Sequence, residues 1–211
     1  MLTERDREIV GMLCCRVRIV SLSQVANHWW NEAKQGLENA RRRLSVLVKD
    51  GLLNESQVMA RPLPELTAPV MSWNPGDAEP AYGSIAWRLQ SRWEKEPRKT
   101  RVYFATSRAA NLFGGRAAGR IKQEFQATHD LGVSEMFLQI LKQRPDEAKN
   151  WIGEDEIASH RRGQKLPDAV IALRADDRPQ LVLEFGGAYD KDRLIEFHFD
   201  NQQRGLPYEI W

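Results

Sequence analysis

Residues 167–186 read PDAVIALRADDRPQLVLEFG, and this stretch decides the fold of the C-terminal half. Two apolar runs, 167–173 and 180–186, flank a turn-rich segment that contains two aspartates and a proline. Apolar runs of this length on either side of a turn are typical of a β-hairpin. Opposite partners in an antiparallel pair have a constant sum of residue numbers, which places Asp168 opposite or nearly opposite Glu184. The sequence therefore predicts two adjacent carboxylates on the hairpin.

Two carboxylates at this position favour a bound cation. Cross-strand partners have Cβ atoms about 5 Å apart, so their negative charges repel each other. A divalent cation between Asp168 and Glu184 removes this penalty, and Mg²⁺ typically takes one or two carboxylates and keeps several waters. We therefore assign both residues as candidate catalytic residues and metal ligands, with Mg²⁺ or Mn²⁺ as the candidate cofactor. The alternative is a register that differs by one residue, so that one carboxylate faces solvent.

Helical patterns flank the hairpin. The segment from His129 carries apolar residues at helical spacing, and Pro145 ends it. A second helix is expected over about 189–203, and 206–211 read as a last strand. The order helix, two strands, helix, strand predicts an α/β domain with a small mixed sheet over 126–211.

The first 60 residues predict three short helices. Thr3 and Ser21 each begin a capping-box pattern, and a third helix is expected from near Ala33 to Gly51. The apolar stripe of this third helix is Leu37, Ala40, Leu44, Leu47 and Val48. Its polar and basic side supplies the candidate DNA-binding residues Gln35, Asn39, Arg42 and Arg43, with Arg41 nearer the edge of the core.

Three short helices, the third with a basic and amide-bearing outer face, are typical of a helix-turn-helix domain. Arginine contacts guanine edges or phosphates, and asparagine reads adenine. Strand-like residues at roughly 57–61 and 101–105 complete a winged hairpin. The alternative is a plain three-helix bundle with solvated arginines.

Residues 61–100 lie between these two strands and read as an insertion at the tip of the hairpin. The insertion mixes tryptophan and tyrosine with basic residues, and tryptophans in such a segment most often pack the insertion onto its domain. The alternative is contact with a phosphate backbone and stacking on bases. We therefore expect a winged-helix domain over 1–120, followed by a glycine-bearing junction to which Arg120 and Lys122 add basic charge.

Charge and composition limit the classes of partner. Residues 1–125 hold 20 Lys and Arg against 13 Asp and Glu, whereas 126–211 hold 11 against 16. A basic half fits a nucleic-acid partner, and an acidic half fits a cation site. No apolar run approaches the ~20 residues of a membrane helix, and no secretory signal precedes the first helix, so no membrane partner is expected. The adjacent Cys14 and Cys15 exclude a disulfide scaffold and a zinc finger, and a cytoplasmic protein is expected.

The C-terminal pattern resembles the PD-(D/E)xK nuclease fold, also described as restriction-endonuclease-like. The family pattern is present as Pro167-Asp168 and Glu184-Phe185-Gly186. In that family the Asp and Glu bind metal, and a lysine two residues after the Glu assists the attacking water. Gly186 occupies the lysine position here.

The resemblance also implies residues that complete such a site. Lys191 is the first candidate for a migrated catalytic lysine, and Lys165 is the second. Glu135 matches the place where many of these nucleases hold a helix-borne acid, so it is a candidate third metal ligand.

The whole chain resembles the bacterial replication-relaxation family. The matching segments are Leu2-Thr3-Glu4-Arg5-Asp6, Ala40-Arg41-Arg42-Arg43-Leu44, Val102-Tyr103-Phe104-Ala105-Thr106, His129-Asp130-Leu131, Pro167-Asp168-Ala169 and Leu183-Glu184-Phe185. The resemblance implies a winged-helix DNA-binding domain joined to a nuclease-like domain, encoded on plasmids or mobile elements.

The sequence thus favours a bacterial protein that binds double-stranded DNA and acts in plasmid or mobile-element replication or its control. Its nuclease-like domain lacks the usual lysine. One alternative is a metal-dependent DNA endonuclease that uses a migrated lysine. Another is an interaction module whose tryptophan-rich insertion docks a replication or mobilisation protein. Winged helices often dimerise, so the sequence leaves both a monomer and a homodimer open.

Overall fold

The computed structural model describes residues 1–31, 34–93, 95–117, 124–161 and 165–211, without the side chains of 124 and 125. Both helices and strands are abundant, which confirms the expected α+β class. The chain forms two compact units, each made from two segments. The first unit comprises Met1–Pro62 and Glu96–Leu138, and the second comprises Leu63–Lys95 and Gln139–Trp211.

Helices and strands are interspersed along the described residues. They are α1 (Glu4–Cys15), β1 (Val20–Ser21), α2 (Leu22–Trp29), α3 (Gly36–Lys49), β2 (Leu53–Ala60), β3 (Met71–Trp73), α4 (Tyr82–Ser91), β4 (Arg98–Ala105), α5 (Ser107–Phe113), α6 (Glu124–Gln143), α7 (Pro145–Lys149), β5 (Trp151–Gly153), α8 (Glu154–Ile157), β6 (Ala169–Ile171), β7 (Leu181–Glu184), α9 (Lys191–Gln203) and β8 (Tyr208–Ile210). Within the described ranges, none of these helices has the length and apolarity that crossing a membrane requires.

The first unit contains a three-stranded antiparallel sheet in the order β1-β4-β2. The two long strands pair over their whole length, from Leu53 opposite Ala105 to Ala60 opposite Arg98. The expected hairpin strands are therefore confirmed, and both are longer than the sequence indicates. Capping boxes at Thr3 and at the residue before α2 are also confirmed, because each side chain accepts a bond from the third backbone amide of its helix.

Helix α3 begins at Gly36, and the expected start at Ala33 lies outside the described residues. The residue after its cap, Gly51, has a φ of 70°, which is the left-handed conformation that ends helices and that glycine adopts without strain. The centre of the expected apolar stripe is buried, but Leu37 is half exposed.

The second unit contains a five-stranded sheet in the order β3-β8-β7-β6-β5. Only β7 and β8 are parallel, and α9 connects them, as a parallel crossover requires. In the β6–β7 hairpin, Ala169 lies opposite Leu183 and Val170 lies opposite Val182. Continuing this register by one residue places Asp168 opposite Glu184, so the predicted hairpin register is confirmed.

The division into units differs from the expected boundaries at 120 and 126. Residues 63–95 lie in the second unit, because β3 pairs with β8 and the buried side of α4 joins the core of that unit. Most of α6 lies in the first unit, up to Leu138. Among the insertion's tryptophans, Trp73 is buried and Trp93 is half-buried, with its Nε1 donating to the Gly187 carbonyl at 2.8 Å. Packing explains these two, whereas Trp87 is 69% exposed. Arg120 and Lys122 lie outside the described residues.

Candidate functional sites

The outer face of α3 carries exposed polar and basic side chains. The guanidinium of Arg42 donates to Asn39 Oδ1 at 2.6 Å, and that of Arg41 donates to Glu38 Oε2 at 3.4 Å. Both contacts are exposed and lie within the same helix. Exposed contacts of this kind typically contribute about 0–1 kcal/mol, so both guanidinium groups can exchange these partners for a ligand. Gln35 is exposed at the N-cap position and makes no capping bond.

The Arg43 side chain, unlike those of Arg41 and Arg42, contacts a buried residue. Its guanidinium forms two hydrogen bonds with the carboxylate of Asp6, one of them from Nε to Oδ1 at 2.6 Å. The Asp6 side chain is fully buried, and Thr3 donates to it from its backbone amide and its hydroxyl. Burial raises the pKa of Asp6, but the bonds from Arg43 and Thr3 outweigh this effect and leave the pKa below its usual value.

The structure therefore corrects the expected order of burial on α3. The Arg43 side chain is 29% exposed and links α3 to α1, whereas the Arg41 side chain is 47% exposed. Arg43 was expected to face DNA with Arg41 nearer the core edge, and the roles are reversed. The cause is Asp6, which attracts the one arginine of the triplet that it can reach.

The β2–β4 hairpin adds basic side chains to the same unit. Arg98 and Lys99 are exposed on β4, opposite Ala60 and Met59. Further along the strand, Arg101 forms an ion pair with Glu55 at 3.4 Å. The end of β4 that lies farthest from α5 therefore carries two neighbouring exposed cations.

In the second unit, the structure brings Asp168 and Glu184 together. The backbone amide of Phe185 donates to Asp168 Oδ2 at 2.7 Å, and the amide of Asp168 donates to Glu184 Oε2 at 3.2 Å. Each carboxylate thus accepts a bond from the strand that carries the other. Glu184 is buried and Asp168 is half-buried, so the pair lies at the edge of the core.

Tyr189 and Arg193 belong to this site, although sequence reasoning did not identify them. The Tyr189 hydroxyl donates to Glu184 Oε1 at 2.5 Å, and the Arg193 guanidinium lies 5.2 Å from the centre of the tyrosine ring. Burial, followed by the neighbouring negative charge of Glu184, raises the pKa of Tyr189, so its hydroxyl keeps its proton and remains a donor. The sequence feature that could have identified Tyr189 and Arg193 is their position, five and nine residues after Glu184 at the start of a predicted helix.

The position of the family lysine has no room for a side chain. A Cβ atom built on Gly186 would lie 2.6 Å from Cγ2 of Ile210 and 3.1 Å from Cδ1 of Leu89. The first distance is shorter than any ordinary carbon contact, and both neighbours are buried. Glycine is therefore required at this position by the packing of β8 and α4.

The two candidate replacements for the lysine lie in different places. Lys165 lines the same groove as Glu184, but its Nζ also contacts Glu196 Oε2 at 2.7 Å. Lys191 is exposed in the first turn of α9 and is not among the residues that line this groove.

The expected third metal ligand is corrected by the structure. Glu135 belongs to the first unit, where its Oε2 accepts a bond from Gln24 Nε2 at 3.0 Å. The same amide group of Gln24 also donates to the carbonyl of Leu131 at 2.8 Å, which fixes the pairing of α2 with α6. Across the ranges that the structure describes, no three His, Cys, Asp or Glu side chains form a metal-binding group.

Asp168 and Glu184 nevertheless fit a hard divalent cation that retains waters. Mg²⁺ often uses one or two carboxylates and does not require a cage made only of protein. Each carboxylate oxygen has two acceptor positions, so one hydrogen bond does not exhaust its capacity as a ligand. The donor set suits Mg²⁺ or Mn²⁺ and lacks the sulfur and nitrogen ligands that zinc prefers.

Comparison of the chain with protein-family models, with curated proteins and with solved structures gave no match.

Proposed function

We propose that the protein binds double-stranded DNA through α3 and the β2–β4 hairpin. The element order of the first unit supports this proposal, because it is similar to that of a winged helix: α1, β1, α2 and α3 precede a long hairpin, and β1 pairs with its second strand. In such a domain the third helix enters the major groove and the hairpin contacts the backbone.

The exposed face of α3 is the observation that carries this proposal. The side chains of Arg41, Arg42 and Asn39 make their hydrogen bonds within their own helix, and they offer donors that suit phosphates and base edges. The two segments of the first unit hold 17 Lys and Arg against 11 Asp and Glu, so the net charge also favours a polyanion.

The test is binding to a short labelled DNA duplex of mixed sequence, measured by fluorescence anisotropy at several salt concentrations. The Arg41→Ala, Arg42→Ala double variant should bind at least ~10-fold more weakly and should show a shallower salt dependence, by about two phosphate contacts. Arg43 is left intact because its loss would disturb the fold.

A charge-matched control separates local contact from net charge. The Arg7→Ala, Lys142→Ala variant loses the same formal charge from exposed positions on α1 and α6. It should retain most of the wild-type affinity. Equal loss in both double variants would show that α3 is not the binding helix, and an unchanged affinity of the α3 variant would have the same meaning.

A second candidate function is metal-dependent cleavage of DNA. It is favoured by the adjacency of Asp168 and Glu184 and by the order β5, α8, β6, β7, α9, β8 in the second unit, in which a hairpin, a helix and a last strand follow one another as in PD-(D/E)xK nucleases. Asp168 and Glu184 would hold the cation, which supplies Lewis-acid stabilisation of the charge that develops on a phosphate. The Phe185 amide orients Asp168, and the Tyr189 hydroxyl orients Glu184.

Supercoiled plasmid distinguishes the two candidates. The protein is incubated with it in Mg²⁺, in Mn²⁺ and in EDTA, beside an Asp168→Asn, Glu184→Gln variant and an Asp176→Asn control in the hairpin turn. A gel shift without cleavage supports a DNA-binding protein with a degenerate nuclease fold. The packing around Gly186, which leaves no room for a lysine side chain, favours this outcome. Nicking that needs metal and is lost only in the double carboxylate variant establishes an endonuclease.

The biological process is inferred from the family resemblance alone. A role in plasmid or mobile-element replication or its control, with DNA as the partner, follows from the likeness to the replication-relaxation family and stays a prediction. The alternative of an interaction module predicts weak DNA binding even at low salt, so the anisotropy measurement also tests it.

A further inference from the structure

The segment before β6 buries a guanidinium group whose hydrogen-bonding capacity is not used. Arg161 is only 9% exposed, and its Nη1 atom is buried without a hydrogen-bond partner among the residues that the structure describes. Burial of a cation without such a partner is strongly unfavourable. Desolvation, followed by the nearby charge of Arg204, accordingly lowers the pKa of Arg161 below its usual value.

Arg161 borders a pocket within the second unit, the groove that Lys165 and Glu184 also line. Three more cations line this pocket, namely Lys165, Arg193 and Arg204, together with the carboxylates of Glu184 and Asp200. Val182 and Phe197 form part of its apolar wall. Four positive charges against two negative ones give the pocket a net positive lining.

The acidic partners of these cations are held by surface contacts. Lys165 contacts Glu196 at 2.7 Å, and Arg204 contacts Asp200 at 3.2 Å, with every side chain at least 30% exposed. Exposed pairs of this kind are weak, and a ligand of higher charge density competes with them. Arg161 differs from both, because its buried guanidinium has a donor left to give.

We propose that this pocket binds a phosphate group, with Arg161 as its buried donor. The planar guanidinium matches the oxygens of phosphate, and bonds between two charged groups are the strongest of their class. A phosphate would satisfy the orphaned Nη1 and offset the repulsion between Arg161 and Arg204. The inference is independent of DNA binding by α3.

The experiment measures binding in EDTA, which removes any contribution of a metal at Asp168 and Glu184. Inorganic phosphate, a nucleoside 5′-monophosphate, and a single-stranded oligonucleotide with either a 5′-phosphate or a 5′-hydroxyl are titrated by calorimetry. Wild-type protein should bind the three phosphorylated probes, and Arg161→Gln should weaken this binding at least ~10-fold. Arg174→Gln in the exposed hairpin turn is the matched control and should leave it unchanged.

Two readouts protect the test from a folding artefact. Arg161→Gln should not lower the melting temperature of the ligand-free protein, because it removes a buried charge without removing a hydrogen bond. Arg204→Gln, at the more exposed side of the pocket, should weaken phosphate binding as well.

Binding of inorganic phosphate alone would identify a free anion as the ligand, and a preference for the 5′-phosphorylated strand would identify a nucleic-acid end. Absence of binding, or equal binding by Arg161→Gln, would overturn the proposal.

Discussion

Both units bury a carboxylate, and the two have different partners. In the first unit, Asp6 is fully enclosed and faces the guanidinium of Arg43. In the second unit, Glu184 is buried beside Asp168, and it accepts bonds from a backbone amide and from the hydroxyl of Tyr189. The first arrangement joins opposite charges and stabilises the fold. The second places like charges together, and arrangements of that kind are concentrated at functional sites.

This contrast shows why a charged residue cannot be assigned from its type alone. Arg43 belongs to the same basic triplet as Arg42, yet Arg43 pairs with a buried carboxylate and Arg42 is exposed. The distinction depends on a residue 37 positions away in the chain. Four changes test the contrast, in decreasing order of expected effect.

Removal of the opposite charge in the first unit should have the largest effect. Arg43→Ala leaves the buried carboxylate of Asp6 without its cation and should lower the free energy of unfolding by about 3 kcal/mol. Arg42→Ala on the same helix should change it by less than ~0.5 kcal/mol. Urea denaturation of both variants measures the difference. Similar values for the two would show that the Asp6–Arg43 pair does not stabilise the fold.

A lysine at position 186, where the PD-(D/E)xK pattern has one, should have the next largest effect on stability. Gly186→Lys forces a side chain against Ile210 and Leu89, and such overpacking typically lowers stability by about 1–3 kcal/mol. Thermal unfolding detects this loss. Gly83→Lys on α4, where nothing lies within 4 Å of the new Cβ, is the control and should be tolerated better. A stable Gly186→Lys variant would mean that β8 and α4 can shift.

Acid should weaken the opposite-charge pair. The folded-state pKa of Asp6 is lower than its ordinary value, so its contribution to stability is present above the unfolded pKa of about 3.9 and is lost as pH falls through the folded pKa. The stability difference between wild type and Asp6→Asn should therefore shrink below pH ~4. The effect is smaller than that of Arg43→Ala, because a protonated carboxyl still accepts hydrogen bonds. Urea denaturation at a series of pH values checks it, and a constant difference would contradict it.

Relief of the like-charge pair should have the smallest effect and the opposite sign. Asp168→Asn keeps an oxygen for the Phe185 amide and removes one negative charge, so stability without metal should stay equal or rise by up to ~1 kcal/mol. Added Mg²⁺ should then raise the melting temperature of wild type but not of the variant. Differential scanning fluorimetry in EDTA and in Mg²⁺ provides both values. A marked loss of stability in EDTA would give the pair a structural role.

Local signals in the sequence predicted the local structure well. The capping boxes at Thr3 and Ser21 and the register of the β6–β7 hairpin depend on residues close together in the chain, and all three are confirmed. The carboxylate pair follows from that register. These features were predictable because turn position and cap chemistry fix them without reference to the remaining chain.

Features that depend on distant residues were not predictable. The two outer strands β3 and β5 have three residues each, and neither lies in one of the longer apolar runs from which β6 and β8 were predicted. The assignment of residues 63–95 to the second unit depends on pairing with β8. The partner of Arg43 and the orphaned donor of Arg161 likewise emerge only from packing, since an arginine in a sequence carries no sign of its burial.

The pairing of β3 with β8 also constrains how the protein is made. Met71 and Ile210 face each other in the sheet although 139 positions separate them, and β8 lies between β3 and β7. A nascent chain therefore carries residues 63–95 out of the ribosome long before their strand partner has been synthesised. The second unit can close its sheet only after β8 has been synthesised, so its folding is governed by long-range contacts, which are slow to form.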